Sequence, residues 1–384
     1  MRTEKLKDIT LTITDGKHGD CKNHDGSGYY FISCKDVYDE TIHYENARQI
    51  AEDDFRDADR RTNLAAYDIL ITNSGTIGRM ALVKDIPETR KTTFQKSVAI
   101  VRADTSQVVP NYLYYLLKSK VHDFINSSNG SAQKNLLLST MRDFDISFVD
   151  SFETQHRIAS ILSRYDSLIE NYQKQIKLLE EAAQRLYKEW FVDLRFPGHE
   201  NTKIVDGVPE GWTPSQLGQL AEFKRGKTIT KKDVIDGDIP VVAGGLEPAY
   251  YCNKSNTAER VITISGSGAN AGFTRMYFEK VWASDCSFVD ASVTPFLHFV
   301  YCYLKANKTT IDNMQKGAAQ PHVYAKDINS LSICIPIESV LKSFEGTASK
   351  YFDTISSFQS QIHLLTEARD RLLPKLMGGE IVLS

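Results

Sequence analysis

Two sets of residues in this 384-residue chain have types and spacings that could do chemistry: cations placed beside glycines, and a few scattered residues of metal-ligating type. Gly226-Lys227-Thr228 has the ending of a P-loop, in which backbone amides and a lysine cradle nucleotide phosphates. The full motif needs a glycine five positions before Gly226; Ala221 stands there, so ATP binding is not expected. His18, Cys21, His24 and Cys34 are of zinc-ligand type. The six cysteines are scattered and form no Cys-x-x-Cys pair, so the segment is read as a polar loop; neither zinc nor a disulfide framework is expected. Two glycine loops, Gly75 to Gly78 and Gly266 to Gly272, follow β-like runs. Each is either a tight turn or a set of backbone amides offered to phosphate. No nucleophile elbow, zincin motif or Asn-Pro-Pro-aromatic loop is present, so no catalytic residue, metal or cofactor is expected on the chain.

The cations fall in two acid-free runs. Lys224, Arg225, Lys227, Lys231 and Lys232 lie within nine residues, and Arg90, Lys91, Lys96 and Arg102 form the second run. Such runs either sit in solvent or neutralise phosphates. The formal net charge of −3 weighs against a nucleic-acid binder. The first residues carry no apolar signal core, and Phe296 to Leu304 is about half the length of a membrane span. A cytoplasmic protein is expected, and the length favours two or three domains.

What positions these residues is a duplication. SRYDSLIENYQKQIKLLEEAAQRL (163–186) and SKYFDTISSFQSQIHLLTEARDRL (349–372) are identical at 12 of 24 positions without a gap, at an offset of 186 residues. Upstream, Tyr114, Leu117 and Lys118 match Tyr301, Leu304 and Lys305, and GSAQ (130–133) matches GAAQ (317–320). The glycine loops echo each other as DILITNSGTIG (68–78) and VITISGSGANAG (261–272). In the first helical copy Ile158, Leu162, Tyr165, Ile169, Tyr172, Ile176, Leu179, Ala183, Leu186 and Trp190 recur alternately four and three apart, a coiled-coil seam. In the second copy the seam is Phe344, Ala348, Tyr351, Ile355, Phe358, Ile362, Leu365, Arg369, Leu372 and Leu376. Arg369 interrupts it, and is expected to face solvent or a partner. Pro374 is expected to break or kink the helix near residue 373, and Gly378-Gly379 to end it. Each seam's simplest partner is the other, antiparallel. The fold class is therefore α/β: two α/β units joined by two long antiparallel coiled-coil helices, a pseudo-twofold tandem repeat.

LYKEWFVDLRFPG (186–198), LLPKLMGGEI (372–381), Val208 to Trp212 and the GSAQ and GAAQ elements resemble conserved regions of type I restriction–modification specificity subunits, and do so across essentially the whole chain. The resemblance implies target-recognition domains over 1–150 and 206–336. A central coiled-coil helix with its linker then occupies 151–198, and a distal helix 337–384. It implies a non-catalytic subunit that reads a bipartite, asymmetric target in double-stranded DNA. It also implies docking of two adenine methyltransferase subunits and, through the complex, of motor-nuclease subunits, without a membrane. Arg90, Lys91, Lys96 and Gln133 are the DNA-facing candidates of the first domain; Lys224, Arg225, Lys227, Lys231, Lys232 and Gln320 are those of the second. The alternatives are a coiled-coil adaptor that binds no nucleic acid, and a subunit of a related system with fused methyltransferase and nuclease. Because the seams resemble each other, a fragment 1–198 is expected to pair with a second copy of itself.

Overall fold

The computed structural model describes residues 1–126, 135–315 and 321–381. The chain packs as two units that cross the repeat boundary: one is Met1–Ile169 with His363–Ser384, the other Glu170–Ile362. Each unit thus holds the start of its own long helix and the end of the other repeat's.

In the first unit, β1 (Thr10–Asp15), β2 (Tyr30–Ile32), β3 (Ile69–Thr72), β4 (Met80–Leu82), β5 (Thr92–Phe94) and β6 (Val98–Ala103) precede the helix α1 (Pro110–Ser119) and the long helix α2 (Phe152–Tyr187). The main sheet is antiparallel in the order β1-β6-β3-β4, and β2 pairs parallel with β5. Both faces of this sheet are covered, so its strands read as near-continuous apolar runs. Alternate residues serve the two faces. Ile69, Ile71, Ala99 and Val101 point into the core with α1, while Leu70, Val98 and Ile100 join a second core with Ile32 and Phe94. Pro110 opens α1 without losing a needed N–H. Tyr112 to Leu117 are then all buried, as in a helix apolar on every side.

The second unit repeats this order after strong sequence divergence. Its strands are β7 (Lys224–Arg225), β8 (Ile239–Val242), β9 (Val261–Ser265), β10 (Thr274–Tyr277), β11 (Trp282–Ala283) and β12 (Cys286–Asp290). They form a sheet β7-β12-β9-β10 and a parallel pair β8–β11, followed by α3 (Leu297–Ala306) and the long helix α4 (Glu338–Met377). A terminal strand pair closes each unit: Arg2–Lys5 with Asp145–Phe148, and Thr213–Gln216 with Ser332–Ile335.

The long helices run antiparallel within each unit. In the second, Tyr187 packs near Phe344 and Tyr172 stacks on Phe358 at 4.8 Å; in the first, Asp166 meets Arg369. Ile158, Leu162 and Ile355 are buried, and Ile176, Leu179, Leu186, Tyr351 and Leu372 pack at the edges of the two cores. Tyr165, Ile169, Tyr172, Phe358, Ile362 and Leu365 are half-buried.

Family-like segments close the cores. Leu373, Leu376 and Met377 are buried against the first unit's α1 core, each contributing roughly 1.5–3 kcal/mol of apolar burial. In the second unit Trp190, Phe191, Phe196, Trp212 and Val340 form one aromatic-rich cluster. A π-turn at Lys188–Val192, closed by Asp193 N–H to Lys188 O at 2.8 Å, turns Phe191 into that cluster. The expected break at Pro374 does not occur: α4 continues to Met377, with the left-handed Gly379 just beyond. Pro374 lies in the last turn, so only Lys375, Leu376 and Met377 follow it in the helix.

Candidate nucleic-acid interface

At one end of each unit the loops converge on a glycine–lysine step that leaves the edge strand. In the first unit Gly16 N–H donates to Val98 O and Lys17 N–H to Phe94 O at 2.7 Å; in the second, Gly226 N–H donates to Cys286 O and Lys227 N–H to Ala283 O. The glycine is required by close backbone approach. A Cβ would fall 2.0 Å from Phe94 O at Gly16, and 2.4 Å from Ser284 O at Gly226. Further loops join in register. Asn73 N–H donates to Ser97 O and Gly266 N–H to Asp285 O, and the chain beyond each glycine loop returns through Leu136 N–H to Asn73 O and Val323 N–H to Gly266 O. Gln95 and Ser284 complete the match by donating to Ile32 O and Val242 O.

This end of the first unit carries Lys17, His18, Lys96 and the Gly75–Gly78 loop. That of the second carries Lys224, Arg225, Lys227 and the Gly266–Gly272 loop. Lys96, Lys224, Arg225 and Lys227 are exposed. Arg225 lies 4.0 Å from Asp285, whose other oxygen accepts the Ser267 hydroxyl. Lys17 pairs with Asp57 at 3.0 Å, and its ammonium is held above its ordinary pKa chiefly by that hydrogen bond. Near it, Asp15 takes Arg61 and His18. Asn73 is buried, and its Oδ1 has no hydrogen-bond partner among the described residues.

The other candidates lie apart from this cluster. Arg90 and Lys91 occupy the turn Pro87–Lys91 at the far end of β5, where Lys91 Nζ stands 5.6 Å from the Tyr29 ring. Lys231 and Lys232 are exposed on the turn Lys231–Asp233. Arg102 is bound to Asp68, a carboxylate buried within the unit, through contacts of 2.8 and 2.6 Å. Gln133 and Gln320 lie outside the described residues. Gly226-Lys227-Thr228 continues into a loop rather than a helix, so it lacks the helix N-terminus of a phosphate-binding P-loop. Cys21 packs with Phe31, Ile50 and Phe55, and burial pushes its thiol pKa up, while His18 turns to Asp15; the four zinc-type residues are not gathered. The sequence reading missed Lys17, although the Gly16-Lys17 and Gly226-Lys227 dipeptides, each after a β-like run, were a usable signal.

The second notable site lies in the first unit's helix pair. Arg369 is buried, with 6% of its side chain exposed. It reaches Asp166 Oδ1 at 2.6 Å, Glu40 at 2.8 Å and Asp370 at 2.9 Å. The Tyr115 hydroxyl donates to Asp166, Tyr114 donates to Glu40 at 3.2 Å, and Lys118 Nζ donates to Glu40 at 2.6 Å. Burial alone would lower the pKa of Arg369; the charges of Glu40 and Asp166 outweigh it and raise that pKa above its ordinary value. Burial would likewise raise that of Glu40, but Lys118 and Arg369 hold it below the usual carboxylate range. Glu40 sits in the hairpin turn between Val37–Tyr38 and Thr41–Ile42, where Asp39 and Glu40 are both left-handed, at φ 46° and 61°. Neither is glycine, so this turn carries strain that the ionic contacts offset. Arg369 thus faces neither solvent nor a separate partner, but carboxylates of its own unit.

A sequence profile of the type I restriction modification DNA specificity domain matches the chain twice, over residues 3–181 and 209–370. The chain belongs to this family: it is a type I restriction–modification specificity subunit. It is similar to the MjaIX type I restriction enzyme specificity subunit of Methanocaldococcus jannaschii, at 30% identity over 340 residues, covering 82% of this chain and 77% of that one. A putative type I specificity subunit of Mycoplasma pneumoniae is 25% identical over 291 residues, covering 73% and 76% of the two chains. Among solved structures, the S subunit of a type I restriction-modification system from M. genitalium shares the fold, with a TM-score of 0.58 at 17% identity over 100% of this chain and 96% of that one. Among the described residues no helix is long and apolar enough to cross a membrane.

Proposed function

We propose that this chain is the non-catalytic, sequence-reading subunit of a type I complex, and that each unit reads one half of a bipartite, asymmetric target in double-stranded DNA. The observation that carries the reading is the duplicated loop end: the same backbone frame in both units, presenting different side chains. One frame used twice gives two half-sites, and different side chains on it give two different sequences. Lys96 and Lys17 in the first unit, and Lys224, Arg225 and Lys227 in the second, are the phosphate-gripping candidates. Arg90, Lys91, Lys231 and Lys232 are candidates for flanking backbone contact, and Gln133 and Gln320 for a contact near the end of each domain. The long helices dock two adenine methyltransferase subunits, with exposed Leu168 and Leu364 in the first unit and Leu178 in the second as apolar positions for such contacts. Motor-nuclease subunits join through that complex.

The test is a methylation map. The chain is produced with its methyltransferase partner in a host lacking other methylation, and modified adenines are located by single-molecule sequencing. One gapped motif with unlike halves is the expected result. A palindromic motif, or no motif while DNA binding in gel shifts is absent, would refute the reading.

A further inference from the structure

We propose that the Arg369 layer makes the long-helix seam selective, so that the first repeat's helix accepts the second repeat's helix and disfavours a second copy of itself, contrary to the self-pairing of fragment 1–198 expected from the likeness of the seams. Shifted by the 186-residue repeat, Tyr165, Ile169, Tyr172, Ile176, Leu179 and Leu186 correspond to Tyr351, Ile355, Phe358, Ile362, Leu365 and Leu372. Four of these pairs are of identical type in Ile or Leu, one is Tyr with Tyr, and one exchanges Tyr for Phe. A seam built of these residues alone would pair almost equally well with its twin. The same shift puts Ala183 where Arg369 stands and Phe352 where Asp166 stands. Ala183 and Phe352 are buried in the second unit's apolar core, whereas Arg369 and Asp166 form the first unit's ion pair.

Wrong pairings are therefore penalised. Two first-repeat helices paired antiparallel would set Asp166 of each against Ala183 of the other. Asp166 and Glu40 would then keep only Tyr115, Tyr114 and Lys118 as partners. Two second-repeat helices would set Arg369 against Phe352, burying a guanidinium with no carboxylate opposite. A buried charge stripped of its partner is among the costliest defects in a packed interface, and a single polar position can fix which helices associate. The native pairing alone gives each charge its partner and each apolar residue its core. The seam's apolar residues supply attraction, and the Arg369 layer supplies discrimination. This inference concerns assembly and stands independently of which DNA is read.

The test uses the full chain, folded first and cut afterwards. A protease site is inserted at the exposed Pro197-Gly198 turn, the folded protein is nicked, and two mass-distinguishable preparations are mixed at equilibrium. Native mass spectrometry then counts the pairs. The parent should give almost only mixed pairs of one first half with one second half. The variant Glu40→Gln/Asp166→Phe/Arg369→Ala, which makes the two layers alike in polarity, should raise the like-with-like fraction on the order of tenfold or more, each tenfold being about 1.4 kcal/mol. A second variant works by gain rather than loss. Ala183→Arg offers an arginine to Asp166 of another copy and should enrich pairs of first halves specifically, even if the triple variant folds poorly. Like-with-like pairs already abundant in the parent, or absent from both variants, would overturn the proposal.

Discussion

Replacing Arg369 by leucine isolates the ionic layer from the rest of the structure. The substitution keeps an apolar stem of similar reach but leaves Asp166 and Glu40 facing each other without their shared cation. Removing one member of a fully buried ion pair typically costs about 3–5 kcal/mol. Two features reduce that here. The Asp166 and Glu40 side chains are 27% and 32% exposed, so water screens part of the loss. Each also keeps a hydrogen bond, from Tyr115 and from Tyr114 and Lys118 respectively. The expected loss is therefore about 2–4 kcal/mol, confined to the first unit. Tryptophan placement allows the confinement to be measured, because Trp190, Trp212 and Trp282 all lie in Glu170–Ile362. Urea unfolding followed by circular dichroism should show a component whose midpoint falls by about 1 M, taking a slope of roughly 2–3 kcal/mol per molar for a unit of this size. The tryptophan emission midpoint should stay in place. An unchanged dichroism profile would mean that the layer contributes nothing net. Equal shifts in both signals would mean that the ionic layer is not local to one unit.

Acid should act on the same site. Because the folded pKa of Glu40 lies below its ordinary 4.5, its contribution is fully present above that value and is lost as pH falls through the depressed folded pKa. Dichroism melts should thus show an acid-dependent loss below pH 4.5 that is smaller in Arg369→Leu, and a variant with the parent's full pH dependence would contradict the assignment. Burial predicts a graded response along the seam: Leu162→Asp, at a fully buried position, should cost roughly 3–5 kcal/mol, and Ile169→Asp, half-buried, roughly half as much, as read from urea midpoints. Equal costs would mean that the middle of the seam is as dry as its ends. For DNA, Lys227→Ala should flatten the log–log salt dependence of affinity by about 0.9 if its ammonium meets one phosphate, measured by fluorescence anisotropy of the methyltransferase complex on a duplex carrying the mapped motif. A slope equal to the parent's would place Lys227 off the backbone.

The periodic features were the legible ones. The helical seam could be read because a spacing of four and three repeats over many turns, and because the copies retain identical residues. The antiparallel pairing followed from duplication, and the family strings from their order. Strand order was not legible. The strands are short, and those of the central sheet are buried on both faces, so Ile69-Leu70-Ile71 carries no alternation of apolar and polar residues. Arg369 stood out as a break in the seam, but its partner Glu40 lies 329 positions away on a hairpin turn that nothing local connects to it. Cation-rich runs were visible as runs. Which cations share a surface was not, since Lys17, Lys96 and the glycine loop are gathered only by backbone hydrogen bonds between distant strands. The same blindness made Arg102 look like a member of its run, when a buried aspartate turns it inward.

Duplication alone would produce a symmetric molecule, and a symmetric molecule would serve a palindromic site best. Asymmetry enters at two separate levels. At the loop ends the backbone frame is kept and the side chains differ: Gln95-Lys96-Ser97 in one unit stands where Ser284-Asp285 stands in the other, one residue shorter, with an acid in place of a base. In the helix pair five of the ten aligned seam positions are identical and four others exchange one apolar or aromatic residue for another, whereas Ala183 and Arg369 differ in charge, so that one layer is apolar in one unit and ionic in the other. The first difference would be of little use without the second. If either half could pair with its own copy, chains with unlike loop ends could be replaced by assemblies with like ones, and the unlike target would no longer be read. A selective layer makes that substitution costly, because the pairing that satisfies Arg369 is the pairing that brings together one copy of each loop end. On the proposed function, unlike loop ends and a selective seam are two halves of one requirement, because the pairing that satisfies Arg369 is also the one that keeps unlike loop ends in one assembly.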